Sequence, residues 1–521
     1  MAEIILGAVM DVLFQKLASG DLMKLARSEG IHSQLHKWNN TLLQIQALLV
    51  DAANKHITDT AVDFWLPNDA KLQEKKGLDD LVMEWRDDFD NSWNHTSEYE
   101  VLEGLRPHYK LRQLEILFYG GMKFPSWVGN PSFDRLTELK LRGCRRCTRL
   151  PALGHLQSLK ELSVESMDEV KTLGLEVFGP TDSFHGIVFP SLESLSFSHM
   201  KGWKRWSTRR GDNDGVARSF PRLGNVSIRD CPKLVEISID LIPSLGVLHI
   251  QGCSKEVFKS MVGASALIRV LKIENIGGLA QLNGELLGAV EDLSIRRCDE
   301  LRYLCESESC KLLVSLRELE ITCCRKLVSL HELPSSLWVL GVYDCDNLES
   351  ISDKGFGIIP LEHLRISNCK NLKSFPHEQL ESLTSLEYLE ISHCPSMDYS
   401  FPCGLWPPNL RRLTIGCLNK PMSKWGIQNY PTSLVHLTLW GQNSRVVSFV
   451  ANAKAVTSTS FLLPPSLMRL SIYYFMELEL VSEALQRLPC LKNLHIFSCP
   501  KLEDLRETNT TIPSSLRIMH Q

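Results

Sequence analysis

The chain contains 521 residues, of which 44% are hydrophobic and 23% are charged. This composition is typical of a folded globular protein and excludes a disordered or collagen-like chain. Lys and Arg together number 57 against 61 Asp and Glu, so the net charge is −4 and supplies no general cationic field for a polyphosphate backbone. We therefore expect no general nucleic-acid binding.

The N-terminal segment lacks the features of an export signal or a membrane span. Glu3 stands where an export signal requires positive charge, and Asp11 interrupts the first apolar stretch. No window reaches the roughly 18 uncharged apolar residues that a span requires. We expect no membrane span and a cytoplasmic location, with the nucleus as an alternative, where the sixteen cysteines stay reduced.

Residues 1–66 show the periodicity of amphipathic helices. One apolar seam has alternating steps of three and four residues, which is the spacing of helices that pack side by side. The seam consists of Leu35, Trp38, Leu42, Ile45 and Leu49. A later helical stretch stops at Pro67, because proline lacks an amide donor and clashes with the preceding turn. We expect a short, truncated all-α bundle whose uncovered seam favours self-association.

Residues 67–110 are predicted to form a junction followed by an irregular first repeat or cap. Apolar residues such as Leu78, Leu81 and Met83 follow the later pattern only loosely. A cap is expected at this point, because a stack of repeats must shield its ends from solvent.

Residues 111–521 repeat a nine-residue phrase, Leu-x-x-Leu-x-[Ile/Val/Leu/Phe]-x-x-Cys, whose last place also accepts other residues. Sixteen copies begin at residues 111, 136, 159, 192, 223, 245, 268, 290, 316, 337, 361, 386, 410, 434, 467 and 491. Most intervals lie between 21 and 26 residues, within the range of leucine-rich repeats. Inward residues that alternate with period two predict one short parallel strand per repeat. We therefore predict an α/β leucine-rich-repeat solenoid with a curved parallel sheet on its concave face.

Nine cysteines share the ninth place of the phrase, and this common phase favours a structural role. A small side chain at the turn that leaves the strand can hydrogen-bond weakly to nearby backbone. Metal sites need ligands that converge on one point, whereas a ladder spreads them along an axis. The predicted ladder consists of Cys144, Cys231, Cys253, Cys298, Cys324, Cys345, Cys369, Cys394 and Cys499.

The outward position that closes each strand carries residue types that frequently anchor protein interfaces. The candidates for partner binding on the concave face are Arg142, Arg229, Arg296, Tyr343, Trp440, Tyr473 and Phe497. Because the aromatic residues gather toward the C-terminus, we predict that the main partner surface is the C-terminal third of the concave face.

No catalytic signature is present: the sequence has no G-x-S-x-G, no H-E-x-x-H and no characteristic carboxylate pair. We therefore expect no enzyme activity, no cofactor and no metal. Trp203 and Trp206 lie in a basic segment that could stack on a nucleic-acid base. The favoured interpretation is that both tryptophans pack back on the solenoid, because one short basic segment is a poor nucleic-acid signature.

Two stretches resemble plant coiled-coil nucleotide-binding leucine-rich-repeat disease-resistance proteins. The helical region, with Gln46-Ala47-Leu48-Leu49-Val50-Asp51, is similar to the N-terminal four-helix domain of that family. The later segments 99–108 and 120–128 resemble its repeat region. The resemblance implies a non-enzymatic protein-recognition module in plant defence and innate immunity. Its repeats would bind a pathogen effector, a guarded host protein or a domain of another immune receptor.

The sequence departs from this family between the two regions. The family places an ATPase-type switch there, which begins with a phosphate-binding G-x-x-x-x-G-K-[ST] loop. The present sequence contains no Gly-Lys dipeptide, so we expect that the nucleotide-binding domain is lacking. Two alternatives stay open: a truncated form of an ADP/ATP-binding resistance receptor, and an F-box-like ubiquitin-ligase adapter, which also joins a short helical region to repeats.

Overall fold

The computed structural model describes residues 71–85, 95–174, 177, 187–208, 220–305, 311–502 and 517–520. The predicted helical seam, Leu35 to Leu49, and the domain boundary predicted at residue 66 lie outside these ranges. The chain divides into two compact units, Met1–Lys75 with Thr96–Pro107, and Lys76–His95 with His108–Gln521. None of the described helices is long and apolar enough to cross a membrane.

One parallel sheet dominates the second unit, and eighteen strands from the described residues contribute to it. Each strand pairs with the next one along the chain in constant register, so that Leu389 lies beside Leu413 and Ile391 beside Ile415. The strands are Asp80–Glu84, Gln113–Leu117, Glu138–Arg142, Glu161–Glu165, Ser194–Ser198, Asn225–Arg229, Val247–Gln251, Val270–Glu274, Asp292–Arg296, Glu318–Thr322, Val339–Tyr343, His363–Ser367, Tyr388–Cys394, Arg412–Leu418, His436–Trp440, Arg469–Tyr473, Asn493–Phe497 and Arg517–His520.

Each of the sixteen predicted phrases forms one of these strands, which begins two residues after the first residue of the phrase. The alternation of the phrase explains the fold, because its apolar places form the core. In one copy Leu386, Leu389 and Ile391 are all 0% exposed, while Tyr388 and Glu390 between them are only half-buried. The predicted leucine-rich-repeat solenoid with its parallel sheet is confirmed.

Two further strands extend the sheet beyond the predicted phrases. Asp80–Glu84 pairs with Gln113–Leu117, so the sheet already begins within the segment 67–110. Arg517–His520 pairs with Asn493–Phe497 at the other end. The predicted boundary at residue 110 stays a prediction.

The remaining elements of the described chain are short. The α-helices are His95–Gly104, Lys255–Gly263 and Ser482–Gln486. The 3₁₀ helices are Leu72–Glu74, Ser126–Gly129, Gly284–Leu287, His377–Ser382, Met422–Lys424 and Ala453–Ala455. Two small parallel sheets consist of Thr172–Leu173, Arg205–Ser207 and Glu236–Ser238, and of Ser448–Val450 and Ser460–Leu462.

The chain leaves almost every strand through one recurring backbone conformation. The eighth residue of the phrase has a positive φ in fifteen of the sixteen copies, and thirteen of these residues are not glycine. Their φ values lie between 51° and 60°, in the left-handed region that normally favours glycine. The thirteen are Phe118, Ser166, His199, Asp230, Asn275, Arg297, Cys323, Asp344, Asn368, His393, Cys417, Tyr474 and Ser498.

Candidate functional site

The predicted partner-binding residues all lie on the exposed face of the sheet, but they do not form one site. The three arginines, Arg142, Arg229 and Arg296, are exposed and lie on separate strands, while the aromatic residues are half-buried. Only Trp440, Tyr473 and Phe497 occupy consecutive strands, as the pairing of their neighbours shows. The sheet therefore brings together the three C-terminal aromatics and leaves the other candidates apart.

Two of the predicted arginines are already engaged by carboxylates of the next strand. Nε of Arg142 lies 3.5 Å from a carboxylate oxygen of Glu165. Nη2 of Arg296 lies 3.1 Å from a carboxylate oxygen of Glu320. Exposed pairs of this kind contribute little stability, but each one neutralises a cation that a partner could otherwise use.

Arg296 also borders a pocket of about 280 Å³ near the middle of the sheet. The short side chain of Ser294 leaves this depression between longer neighbours. The charged side chains around it are of both signs: Lys272, Glu274, Asp292, Arg296, Glu318 and Glu320. The pocket therefore has no single charge that would select an ionic partner.

Tyr343 lies back over its own strand. A Cβ atom added to Gly341 would be 2.9 Å from the Tyr343 ring, so the ring occupies the space that a side chain at residue 341 would need. Burial raises the pKa of the Tyr343 hydroxyl, although its hydrogen bond with Arg365 acts in the opposite direction. Tyr343 consequently covers the sheet more than it projects from it.

The C-terminal aromatics form a continuous row. The rings of Trp440 and Tyr473 stack with their centroids 4.8 Å apart and an interplanar angle of 22°. The Tyr473 and Phe497 rings are 6.3 Å apart and tilted by 48°. Aromatic pairs in this range stabilise one another beyond simple area burial, so the row is a preformed surface.

Two residues that sequence reasoning missed complete this row, and both occupy the left-handed eighth place of the phrase. Tyr474 stacks on Trp440 at 6.0 Å and meets Phe497 edge-on at 5.4 Å. The His393 ring contacts Trp440 edge-on at 4.9 Å. The search was limited to the outward positions of the strands and therefore missed both residues. The aromatic side chains at the eighth place of the phrase, just before the cysteine position, would have identified them. We name Trp440, Tyr473, Tyr474, Phe497 and His393 the aromatic row.

The contact between His393 and Trp440 depends on Gly416. These two rings belong to strands separated by Arg412–Leu418, in which Gly416 lies between Ser392 and Trp440 in register. Gly416 has φ +148°, and an added Cβ would lie 2.8 Å from the Trp440 Cβ and overlap the Trp440 carbonyl oxygen. Glycine at this position therefore leaves the space across which the two rings meet.

Four histidines on or beside the exposed face are poor cations at neutral pH. Burial lowers the pKa of His249, His363, His393 and His436 below the ordinary imidazole value. Nearby arginines add to this effect at three of the four; Arg469 and Arg412 do so at His436. Each imidazole is thus favoured in its neutral form.

The ladder cysteines lie beneath the face and are buried, with exposed fractions between 0% and 6%. Eight of the nine thiols donate to the carbonyl oxygen two residues earlier, across the left-handed turn. The Sγ to oxygen distance is 3.3 Å from Cys345 to Tyr343 and from Cys394 to Ser392. Burial raises the pKa of Cys324 to about 12. Of the cysteines in the described ranges, fourteen are free thiols, whereas Cys305 is disulfide-bonded, contrary to the expectation that all cysteines stay reduced.

The basic insertion does not offer its tryptophans to a ligand. Trp203 is 0% and Trp206 is 3% exposed. Their rings pack on Phe197 at 4.8 and 5.7 Å, as the favoured interpretation of the sequence predicted. Neither ring is available for stacking on a base.

Two Ser, His and Asp groupings occur on the described chain, and neither has the connectivity of a catalytic triad, in which one histidine bonds both the serine and the aspartate. At Ser329, His331 and Asp353, both partners bond the carboxylate: the Ser329 hydroxyl lies 3.3 Å and the His331 Nδ1 2.7 Å from its oxygens. At His377, Asp398 and Ser400, the Ser400 hydroxyl lies 3.2 Å from His377 Nε2, but His377 Nδ1 bonds the Phe375 carbonyl oxygen at 3.0 Å. The Asp398 carboxylate accepts from the Ser400 backbone N–H. Within the described ranges, no three His, Cys, Asp or Glu residues are grouped so that they could hold a metal ion.

Parts of the chain are similar to known proteins. The family model described as R13L1/DRL21 LRRs matches residues 61–167. The putative disease resistance RPP13-like protein 1 of Arabidopsis thaliana is 30% identical over 338 residues, which cover 60% of this chain and 28% of that protein. The putative disease resistance protein RGA1 of Solanum bulbocastanum is 32% identical over 272 residues, which cover 52% and 23%.

The chain thus spans less than a third of the length of these curated relatives. Among solved structures, a plant peptide hormone receptor, RGFR1 in complex with RGF2, matches with a TM-score of 0.26 and 14% identity. The match covers 79% of this chain and 78% of that one.

Proposed function

We propose that the chain, which is similar to plant disease-resistance proteins with leucine-rich repeats, is a non-enzymatic protein-recognition module in plant defence. The partner would be a pathogen effector, a guarded host protein or a domain of another immune receptor. It would bind the exposed face of the parallel sheet, with its main contact at the aromatic row. The proposal includes a cytoplasmic or nuclear location, which the fourteen free thiols among the described residues favour and the disulfide at Cys305 does not.

The aromatic row is the observation that carries this proposal. Trp440, Tyr473 and Phe497 come from three consecutive strands and stand on the exposed face, half-buried and in mutual contact. Aromatic side chains clustered in this way are the most frequent energetic centres of protein interfaces. A row of them on an exposed sheet lowers solubility unless a partner covers it.

The described side chains support recognition better than catalysis. The Ser329, His331 and Asp353 grouping has the connectivity of a static hydrogen-bond cluster. Most of the buried ladder thiols have raised pKa values, as at Cys144 and Cys324, which makes those thiols weak nucleophiles at neutral pH. Neither group provides an activated nucleophile.

The test is a binary interaction screen of pathogen effectors and immune-receptor domains against the full chain, with titration of each hit. The combined change Trp440→Ser, Tyr473→Ser and Phe497→Ser should abolish binding while circular dichroism and melting stay near those of the wild type. A matched control, Arg142→Gln with Arg296→Gln, alters the same face at ion-paired positions and should leave binding intact. If the hits bind the aromatic variant with unchanged affinity, the binding site lies elsewhere on the protein.

The two alternatives make different predictions for the purified protein. A nucleotide-binding receptor would retain ADP and release it on denaturation. An F-box-like adapter would co-purify with a ubiquitin-ligase scaffold. Either result would replace the recognition module as the function of this chain. Self-association through the N-terminal helical seam is a separate proposal, which sedimentation of the full chain over a range of concentrations would test.

A further inference from the structure

One long section of the chain carries cations without any carboxylate. Between Asp398 and Glu477 the sequence contains seven Arg and Lys residues and neither Asp nor Glu. The cations are Arg411, Arg412, Lys420, Lys424, Arg445, Lys454 and Arg469. The chain as a whole has a net charge of −4, so this section is a local exception to its charge balance. A region of one sign creates a field that attracts partners of the opposite sign.

This section supplies three neighbouring strands of the sheet, Arg412–Leu418, His436–Trp440 and Arg469–Tyr473, and the next strand, Asn493–Phe497, also lacks carboxylates. We call the exposed face of these four strands the acid-free face. It contains the aromatic row except His393, which borders it. On the preceding strand, the Glu390 carboxylate accepts a hydrogen bond from the Tyr388 hydroxyl at 2.9 Å. Just before that strand, the Glu387 carboxylate lies 3.7 Å from Nε of Arg411.

Charged and aromatic side chains occupy opposite sides of the acid-free face. Arg412, His436 and Arg469 begin their strands and lie next to one another in register. Trp440 and Tyr473 end theirs, four residues further on. At about 3.3 Å per residue, this separates the cationic side from the aromatic side by about 13 Å. Thr414, Thr438 and Ser471 form the floor between them.

The cations of this face are available, unlike those nearer the N-terminus. Among the described residues, Arg412 and Arg469 make no salt bridge, whereas Arg142 and Arg296 are both paired with a glutamate. The Arg412 guanidinium lies 4.9 Å from the Tyr388 ring centroid, which leaves its hydrogen-bond donors without a carboxylate. Arg412 and Arg469 are both exposed.

We propose that the acid-free face binds an extended acidic segment of a partner protein, whose carboxylates meet Arg412 and Arg469 and whose apolar side chains meet the aromatic row. This inference rests on the proposed recognition function and names the chemistry of the partner. Arg412 and Arg469 lie two strands apart, or about 9.6 Å. Three residues of polyproline II conformation advance about 9.3 Å and return to the same side. Acidic residues three apart in the partner therefore match both arginines.

A single-stranded nucleic acid would also be attracted by cations beside aromatics, but the ring geometry disfavours it. Base binding requires free ring faces on which bases stack. The Trp440 ring is instead stacked against Tyr473 at 4.8 Å and Tyr474 at 6.0 Å. The row therefore offers edges and a packed apolar surface, which suit aliphatic or aromatic side chains of a polypeptide.

The test uses fluorescent 12-residue peptides titrated into the full chain. The probe has four Glu-Gly-Phe repeats, and its controls replace every Glu by Gln or by Lys, or every Phe by Ser. The Glu and Phe peptide should bind best, and binding should weaken at about 0.5 M salt because ions screen exposed charges. Equal binding of the Gln peptide would overturn the charge assignment, while protein recognition through the aromatic row would still stand.

Variants locate the binding. The double change Arg412→Gln and Arg469→Gln should weaken the Glu and Phe peptide on the order of tenfold, and Thr438→Glu should do so by repulsion. The control Arg142→Gln with Arg296→Gln, which removes the same charge from paired positions, should leave the affinity unchanged. Equal losses in both double variants would overturn the inference. Tighter, Arg412- and Arg469-dependent binding of a 12-nucleotide single strand would also overturn it.

The peptide test and the function test can fail separately. If purified protein retained nucleotide or a ligase scaffold, the proposed function would fall while peptide binding could still be measured. If a captured effector or receptor domain ignored both the Arg412 and Arg469 change and the aromatic change, the recognition module would stand and the acid-free face would not be its site.

Discussion

Gly416 pairs with Trp440 on the neighbouring strand, and only a hydrogen atom fits between them. An added Cβ would overlap the Trp440 carbonyl oxygen, and the φ of +148° is one that other residues rarely adopt. The arrangement of the aromatic row thus depends on Gly416, a residue without a side chain.

Replacement of Gly416 by Ala should therefore destabilise the protein by about 2 to 4 kcal/mol, because overpacking and backbone strain act together. It should also separate Trp440 from His393 and weaken partner binding. Urea unfolding would measure the first effect and titration the second. Gly246→Ala is the matched control, since nothing lies within 4 Å of its added Cβ; an equal loss in both variants would contradict this account.

The cysteine ladder makes a prediction about stability. Cys345→Ala should lower the free energy of unfolding by about 1 to 2 kcal/mol, because it removes a buried thiol and its bond to the Tyr343 carbonyl. Cys490 is exposed, and Cys490→Ala should change stability by less than about 0.5 kcal/mol. A Cys345→Ala protein as stable as the wild type, or one that has lost bound zinc, would refute the ladder.

Thiol reagents should distinguish the same two classes of cysteine in the native protein. Cys403 and Cys490 are exposed and should react at once. The ladder thiols should react only on unfolding, because they are buried; except at Cys369, where a hydrogen bond with Cys394 lowers the pKa, their pKa values are also raised, to about 12 at Cys144. Mass spectrometry of brief labelling would locate the adducts, and early modification of Cys144 or Cys324 would contradict the prediction.

The left-handed turns predict an unusual response to glycine. Ser498 has φ 52°, a conformation that costs a non-glycine residue roughly 1 to 2 kcal/mol. Ser498→Gly should stabilise the protein by about 0.5 to 1 kcal/mol, since the greater entropy of unfolded glycine offsets part of that gain. Ser498→Val should destabilise it, and His495→Gly, within the strand, should do the same. Thermal melting of the three variants would test this order.

The four exposed-face histidines predict acid sensitivity. Their folded pKa values are lowered, mainly by burial, so the unfolded chain binds protons more readily. Stability is complete above the unfolded imidazole value of about 6.5 and falls as the pH drops toward the lower folded values. The melting temperature should decrease between pH 7.5 and 5, and Asn at all four positions should flatten this slope. If the variant with four Asn residues shows the same dependence of melting temperature on pH, groups other than these histidines cause the loss of stability in acid.

The fold could be predicted from the sequence because its dominant force is visible there. Burial selects the first, fourth and sixth places of the phrase, as at Leu386, Leu389 and Ile391, and the same selection recurs sixteen times. The consecutive placement of Trp440, Tyr473 and Phe497 followed from that phase. The strand Asp80–Glu84 was harder to recognise, because its phrase, which begins at Leu78, has Met83 at the sixth place and Arg86 instead of cysteine at the ninth.

The finer parts of the site could not be read from apolar periodicity. Tyr474 and His393 reach the row because of a left-handed backbone, and φ is not encoded in the spacing of leucines. The role of Gly416 depends on a contact between strands 24 residues apart in sequence. The absence of carboxylates between Asp398 and Glu477 is visible in the sequence. Only the structure shows that this section supplies neighbouring strands, so that its cations share one face of the sheet.

The left-handed turn that ends the strands allows the exposed face of the sheet to change in evolution without a change of fold. One backbone conformation accepts phenylalanine, aspartate, arginine, tyrosine and cysteine at the same place, with φ values that differ by less than 10°. Side-chain identity there is uncoupled from the path of the chain. Each repeat therefore displays one such residue beside its strand, as Tyr474 and Arg297 illustrate. Successive repeats together form a column of these residues along the sheet. Recognition can drift toward new ligands by single substitutions, while the scaffold that presents them stays as it is.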